Sequence, residues 1–141
     1  MKSIAAAAIG LLMLSSVARA GSIEGIWLSH DGMLKVRLSD CGSALCGKVI
    51  WLGEPIDRAT GKPKTDKRNP DPAKRARPLI GLTAVTAFKP TGPNEWSGVI
   101  YNADDGNTYQ GHLKVTTAHT ARLQGCVLGV LCKANTWKRA D

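Results

Sequence analysis

The sequence predicts an all-β protein of about eight short antiparallel strands, on the basis of three observations. Apolar and polar residues alternate along runs such as Leu34 to Ser39, which gives a strand one buried and one solvated face. Turn-forming residues, for example Asp104-Asp105-Gly106, separate most of these runs at even spacing. No stretch has a long apolar period of 3.6 residues, so no long helix is expected. The pattern is typical of an up-and-down barrel or a sandwich.

The predicted strands follow from alternation and from β-branched or aromatic content. They cover residues 24–29, 33–40, 46–53, 80–89, 95–102, 107–116, 119–126 and 131–138. An eight-stranded barrel either fills its interior with side chains or encloses one small ligand. The strand pattern leaves both possibilities open.

The first 20 residues have the pattern of a secretory signal peptide. Lys2 precedes an apolar run from Ile4 to Leu14, and Ala18-Arg19-Ala20 supplies the small residues of a cleavage site. The run is shorter than the roughly 20 residues that span a bilayer, and no second run follows it. We therefore expect a periplasmic or secreted protein with a single domain over residues 21–141 and no transmembrane segment after cleavage. An uncleaved membrane anchor is the alternative.

Four cysteines allow three disulfide pairings, and an oxidising compartment favours disulfides. Cys41 and Cys46 flank one hairpin-length loop, and Cys126 and Cys132 flank another. Residues that face each other across a hairpin lie near disulfide distance, so these two local pairs are predicted. A four-cysteine zinc site is the alternative, but neither pair has the usual two-residue gap. No bound metal is expected.

One segment, which we call the charged loop (residues 54–78), interrupts the strand pattern and is rich in Pro and charge. Its basic residues are Arg58, Lys62, Lys64, Lys67, Arg68, Lys74, Arg75 and Arg77. A solvated, poorly ordered loop is one interpretation, whereas the turn Asn69-Pro70-Asp71-Pro72 favours a partly fixed path. The carboxylates of Asp66 and Asp71, near Asn69, Arg75 and Arg77, would either bind a polar head group or pin the loop over the barrel.

Gly25-Ile26-Trp27 opens the first predicted strand, and Thr136-Trp137-Lys138-Arg139 closes the last. This arrangement resembles the lipocalins, in which the indole of a Gly-x-Trp packs across one barrel end beneath an Arg from the last strand. Closure of a barrel makes its first and last strands neighbours, and a guanidinium over an indole gains cation–π attraction. The resemblance implies an up-and-down lipocalin-like barrel with structural roles for Trp27 and Arg139.

A longer series of motifs runs through nearly all of residues 21–141. It comprises Cys41 to Gly47, Val49-Ile50-Trp51, Asp66, Asn69-Pro70-Asp71, Arg75, Arg77 to Leu82, Trp96, Gly98, Ile100-Tyr101, Gly106, Thr108-Tyr109 and Thr136 to Arg139. The series resembles the bacterial family known as domain of unknown function 2147. That resemblance implies an exported lipocalin-like barrel and supplies no activity, ligand or catalytic residue. Many family members have Gly or Asp-Pro where this chain has Asn102-Ala103-Asp104, which predicts a local difference in one turn.

Motifs of catalysis and cofactor binding are not found: there is no Gly-x-Ser-x-Gly elbow, His-Glu-x-x-His helix, phosphate-binding glycine loop or haem-attachment motif. His30, His112 and His119 are scattered over turns and a strand, and none neighbours a Cys. Asp104 and Asp105 lack the alternating spacing of a calcium-binding loop. Followed by Gly106, they are typical residues of a hairpin turn. We predict a protein that is not an enzyme and holds no cofactor.

The predicted function is binding of a small apolar or amphipathic envelope molecule in or at the mouth of the barrel, with the charged loop as lid. The candidate ligand-binding residues are Trp51, Asp66, Arg68, Asn69, Arg75, Arg77, Trp96, Tyr101 and Tyr109. Without Lys2 and Arg19 the chain has 17 basic and 11 acidic residues, a net charge of +6. This charge favours anionic lipid or cell-wall partners, and export argues against nucleic acid. The alternative function is envelope maintenance by a filled barrel with a basic surface.

Overall fold

Eight strands close into an antiparallel up-and-down barrel in the computed structural model, which describes residues 22–141. The predicted signal peptide and its cleavage site lie outside the described residues. The barrel strands are β1 (Gly25–Leu28), β2 (Leu34–Asp40), β3 (Leu45–Leu52), β6 (Thr83–Gly92), β7 (Glu95–Asn102), β8 (Asn107–Thr117), β9 (Thr120–Val127) and β10 (Leu131–Arg139). Their order around the barrel is β1-β10-β9-β8-β7-β6-β3-β2. The predicted fold, an all-β barrel of eight strands, is confirmed.

The charged loop has secondary structure of its own between β3 and β6. It contains a short hairpin, β4 (Ile56–Asp57) with β5 (Lys62–Pro63), and a 3-10 turn, η1 (Pro72–Lys74). Strand β6 begins at Thr83 instead of residue 80, because the amide of Leu82 donates to the carbonyl of Leu79 and so extends the loop by one turn. The path of the loop is therefore defined along its whole length.

Antiparallel pairing divides the connections between the two ends of the barrel. The β2–β3, β6–β7 and β8–β9 turns lie with the chain's C-terminus at one end, which we call the closed end. The β1–β2, β7–β8 and β9–β10 connections and the charged loop lie at the other, which we call the mouth. The charged loop joins β3 to β6, and these two strands lie across the barrel from β9 and β10.

Trp27 fills the closed end and is only 1% exposed. Its indole Nε1 donates to the carbonyl of Ile23 at 2.9 Å. Arg139 is its cross-strand partner on β10 and holds its guanidinium 4.6 Å from the ring centroid. The same guanidinium donates to the carbonyls of Ser22 and Glu24, so it ties the last strand to the segment that leads into the first.

Phe88 is the second large side chain of this packed end and has no exposed surface. Two strand glycines make room for its ring. A Cβ on Gly98 or on Gly111 would lie 2.5 Å from a ring carbon of Phe88, far inside van der Waals contact. Because interiors pack at near-crystalline density, these positions on β7 and β8 accept only glycine beside so large a neighbour.

Both predicted disulfides are present. The Cα atoms are 5.8 Å apart in the Cys41–Cys46 pair and 4.1 Å apart in the Cys126–Cys132 pair. No free cysteine remains in the described chain, so the alternative of a four-cysteine zinc site is wrong. Two disulfides indicate a non-reducing compartment. Within residues 22–141, no helix is long and apolar enough to cross a membrane.

Replacing Trp27 with Ala should lower the free energy of unfolding by about 3–5 kcal/mol, the usual cost of removing a buried aromatic ring. Urea unfolding measures this change. Trp51→Ala is the matched control, because that indole is 40% exposed on the outside of the barrel and should cost about 1 kcal/mol or less. Equal losses in the two variants would mean that Trp27 does not hold the closed end together.

Candidate ligand-binding site

The half of the barrel interior nearest the mouth is open and forms a cavity of about 640 Å³. Its deeper walls are apolar and come from strands all around the barrel. They include Val36, Val49, Val85, Ile100, Leu123 and Trp137. Trp137 also borders the small gap above the packed end, as do Val36, Val85 and Leu123, so these side chains lie between the cavity and the Trp27 cluster. The interior is thus filled at one end and empty at the other.

Polar side chains also line the cavity, most of them toward the mouth. Asp31 and Asp105 line it from two connecting turns, Tyr109 and Lys133 from near the mouth ends of β8 and β10, and Asn135 from farther in, level with Leu123. The Tyr109 hydroxyl donates to the Asp105 carboxylate. A molecule in the cavity would therefore place an apolar part deep in the barrel and a polar part at the mouth.

The charges that line the mouth are of both signs. The carboxylates belong to Asp31, Glu54, Asp104 and Asp105, and the ammonium groups belong to Lys64 and Lys133. The Ser29 hydroxyl and the Met33 amide donate to Asp31 and lower its pKa. Burial works against ionisation of Asp105, but the hydrogen bonds from Tyr109 and the Asn107 amide outweigh it and lower the pKa of this carboxyl too. The lining therefore does not select an anion.

Beside the cavity, one fully buried carboxylate organises the charged loop. Asp66 has no exposed surface. Its Oδ1 accepts from the Tyr101 hydroxyl at 2.6 Å, and its Oδ2 accepts from the Asn69 side-chain amide at 2.8 Å. The Arg77 Nε donates to the same Oδ2 at 2.8 Å, and its Nη2 lies 2.8 Å from that oxygen in an ion pair. A carboxylate with this many donors is stabilised in its charged form.

The network lowers the pKa of the Asp66 carboxyl and raises the pKa of the Tyr101 phenol. Burial raises the pKa of Asp66, but the hydrogen bonds from Tyr101, Asn69 and Arg77 outweigh burial and hold it below its usual value. Burial and the bond to the Asp66 carboxylate raise the pKa of the Tyr101 phenol. At neutral pH the pair is therefore a neutral phenol that donates to an ionised carboxylate.

Further contacts complete the attachment of the loop. The Arg75 Nε donates to the Asn69 carbonyl at 2.8 Å. The Arg68 carbonyl lies against Gly106 in the β7–β8 turn, where a Cβ would come within 2.0 Å of the oxygen. Gly106 also has φ of +75°, so two independent constraints require glycine there. The interpretation of a poorly ordered loop is wrong, because the loop is bonded to β7 and packed against the next turn.

The structure places the nine predicted ligand-binding residues in different parts of the molecule. Only Tyr101 and Tyr109 line the cavity. Asp66, Asn69, Arg75 and Arg77 pin the charged loop, while the Arg68 side chain is exposed. The two tryptophans lie elsewhere: Trp51 is outside the barrel beneath Lys35, whose Nζ is 5.1 Å from the ring, and Trp96 packs against the core of the closed end. These seven residues do not line the cavity, and a role for them in ligand binding stays a prediction.

Sequence reasoning missed the aliphatic cavity wall and the polar group of Lys133 and Asn135. It also missed a pair across β7 and β8, in which the Ser97 hydroxyl is 2.8 Å from His112 Nδ1. That pair is exposed, and neither residue lines the cavity. Of the described residues, no three His, Cys, Asp or Glu side chains group in a way that could hold a metal ion.

Comparison with known proteins supports the resemblance drawn from the motifs. The model of the family described as "Uncharacterized protein conserved in bacteria (DUF2147)" matches residues 25–139. The chain belongs to the DUF2147 family. The matched range of this DUF2147 protein begins at the first strand of the barrel and ends at Arg139 on the last.

Among solved structures, the DUF2147 barrel is similar to protein HP1028 from the human pathogen Helicobacter pylori, which is described as belonging to the lipocalin family. The two chains are 23% identical, with a TM-score of 0.73 over 86% of this chain and 84% of the other. At this identity the likeness supports the fold alone. No curated protein matches the chain.

Asp66→Asn should release the charged loop of this DUF2147 protein. The amide keeps the shape of the side chain but removes the charge that faces Arg77 and one of the two acceptor oxygens. We expect the free energy of unfolding to fall by about 1.5–3 kcal/mol, as for hydrogen bonds to charged groups, and trypsin to cut within the loop faster than in the parent. Asp71→Asn is the control, because Asn caps η1 as well as Asp does. If Asp66→Asn and Asp71→Asn have the same stability and the same rate of trypsin cleavage, Asp66 does not pin the loop.

The stability that Asp66 contributes should depend on pH with a definite sign. Its folded pKa lies below its unfolded value of about 3.9, so the contribution is present above about pH 4 and is lost as the pH falls through the lower folded value. Urea unfolding at a series of acidic pH values should therefore show the parent approaching Asp66→Asn in stability. A difference that stays constant down to the lowest pH would exclude Asp66 as its source.

Proposed function

We propose that this protein binds a small apolar or amphipathic molecule inside the barrel and releases it unchanged. The observation that carries the proposal is the cavity of about 640 Å³, which lies above Trp137 and the packed end and opens at the mouth. Small-molecule sites are usually concave, mostly apolar and about 300–1,000 Å³ in volume, with a few polar groups that fix orientation. The membership of a lipocalin-like family agrees with this function.

The charges at the mouth indicate which kind of polar end the bound molecule carries. Four carboxylates and two lysines line the opening, and among the basic residues of the charged loop only Lys64 is one of them. An uncharged or zwitterionic polar end meets partners of both signs there, whereas an anionic end would lie beside Asp31 and Asp105, which are ionised at neutral pH. We therefore infer an apolar tail with a neutral or zwitterionic end.

The alternative of an envelope-maintenance protein assumed a filled barrel. The interior is filled only around Trp27 and Phe88 at the closed end. A surface role would not require the apolar half-interior that remains open above Trp137. Ligand binding is therefore the function that the geometry favours.

Binding of a fluorescent apolar probe, N-phenyl-1-naphthylamine, tests the proposal. A substitution at a glycine in the cavity wall provides a variant in which the cavity is partly filled. Gly125 lines the cavity, and a Cβ there would meet only ordinary contacts, 3.6 Å from the Cβ of Tyr109. Gly125→Phe should place a ring in the cavity without disturbing the strands. We expect one probe per chain in the parent and a dissociation constant raised at least about tenfold in the variant, equivalent to about 1.4 kcal/mol.

Arg122→Phe is the matched control, since it adds the same ring to the same strand at an exposed position. Its affinity for the probe should equal that of the parent. If the parent gives no fluorescence enhancement, or if both variants weaken binding alike, the cavity is not the binding site.

A further inference from the structure

Exposed large apolar side chains are concentrated at one end of the barrel. Of the nine in the described chain, all but Val99 lie at the mouth or at a strand end that leads to it. The eight are Met33, Trp51, Ile56, Ile80, Val127, Leu128, Val130 and Leu131. They come from the β1–β2 connection, the end of β3, the charged loop and its exit, and the β9–β10 turn. They therefore surround the entrance of the cavity.

The β9–β10 turn is the most exposed part of this ring. Leu128, Val130 and Leu131 are 89%, 78% and 71% exposed. The Cys126–Cys132 disulfide joins the two strands at the base of the turn, so the apolar tip stands on a cross-linked hairpin.

Backbone geometry does not explain the apolar tip. Leu128 has φ of +53° and Gly129 has φ of +70°, two consecutive left-handed residues. Hairpin turns with this conformation favour Asn-Gly or Asp-Gly, and a leucine there is disfavoured both by its backbone angle and by its exposure to water. Local folding would thus be served better by a polar residue at position 128. The apolar side chain of Leu128 is therefore available to contact a surface outside the chain.

Exposed cations lie on the charged loop at the same end of the barrel as this tip. Lys62, Arg68 and Lys74 on the charged loop are exposed and form no ion pair with another described residue. Two carboxylates of the loop are already engaged, Asp57 by Lys67 and Asp66 by Arg77. The mouth therefore presents exposed apolar side chains on the β9–β10 turn and unpaired positive charge on the charged loop, around an opening that is itself lined by charges of both signs. A surface that is anionic outside and apolar beneath complements both.

We propose that the mouth docks on an anionic phospholipid bilayer, with the side chains of the β9–β10 turn inserted among the lipids. Binding of a rigid amphipathic surface to lipid scales with the apolar area that enters the interface and with attraction to anionic head groups. Docking in this orientation turns the cavity entrance toward the membrane. Exchange of a ligand between bilayer and cavity rests on the proposed function, whereas docking itself does not.

Sedimentation with vesicles tests the docking. The purified protein should bind vesicles of phosphatidylcholine mixed with phosphatidylglycerol, and bind them more weakly as salt rises. The triple variant Leu128→Ser, Val130→Ser, Leu131→Ser should lose at least about tenfold in partitioning, because its tip has no apolar area to insert. Val99→Ser is the matched control: it removes the exposed apolar side chain that lies away from the mouth and should bind as the parent does.

A second triple variant isolates the charge. Lys62→Gln, Arg68→Gln, Lys74→Gln should lower binding to the anionic vesicles by at least about tenfold and abolish the preference over pure phosphatidylcholine. Its control is Lys48→Gln, Lys89→Gln, Arg122→Gln, which removes the same charge from exposed strand positions and should keep most of the binding. Equal losses of vesicle binding in the loop variant and in the strand variant would overturn the proposal that the mouth faces the membrane. So would a parent that binds neither vesicle, including one that forms dimers through the same apolar tip.

The probe assay keeps the two proposals separable. The serine variant should still bind N-phenyl-1-naphthylamine in solution, because it changes no residue that lines the cavity. Vesicle binding without probe binding would leave the docking surface standing and refute the cavity. Probe binding without vesicle binding would refute the docking surface alone.

Discussion

Closure of the barrel depends on its shortest strand. β1 has four residues, yet it pairs with β2 along its whole length and with β10 at Trp27 and Leu28. So short a ladder needs side-chain support, which Trp27 provides by filling the end that β1 closes. Arg139 covers the indole and binds carbonyls ahead of β1. Because the large side chains lie at this end, most of the unfilled volume lies at the other, toward the mouth.

Much of the fold could be predicted from the sequence because its signals are local. Alternation located the eight strands to within a few residues, and each disulfide followed from two cysteines that bracket one turn. The start of β6 was missed because Leu79 to Leu82 are as apolar as a strand, while Gly81, at φ of +94°, makes them a turn. Such a conformation depends on the loop that precedes it, which carries no periodic pattern.

The site was harder to predict because it depends on register and on non-local packing. Trp51 shows why: alternation from Val49 would point it inward, but Val49 pairs with Val36 and Trp51 with Lys35, which leaves Ile50 as an extra residue. The bulge reverses the facing of the last residues of β3, so Trp51 points out and Leu52 lines the cavity. The aliphatic wall gave no signal, since a residue that lines a cavity is the same type as one that fills a core. Only the size of its cross-barrel neighbours distinguishes them.

The charged loop and the cavity are mechanically connected through Tyr101. This side chain lines the cavity and also donates to the buried Asp66 carboxylate. Its ring lies 5.6 Å from the Arg77 guanidinium, which binds the same carboxylate. Because burial disfavours an unpaired charge strongly, the carboxylate holds the phenol and the loop together as one unit. The cavity wall beside Tyr101 therefore depends on the attachment of the charged loop, and Arg77, which does not line the cavity, helps to hold that wall in place.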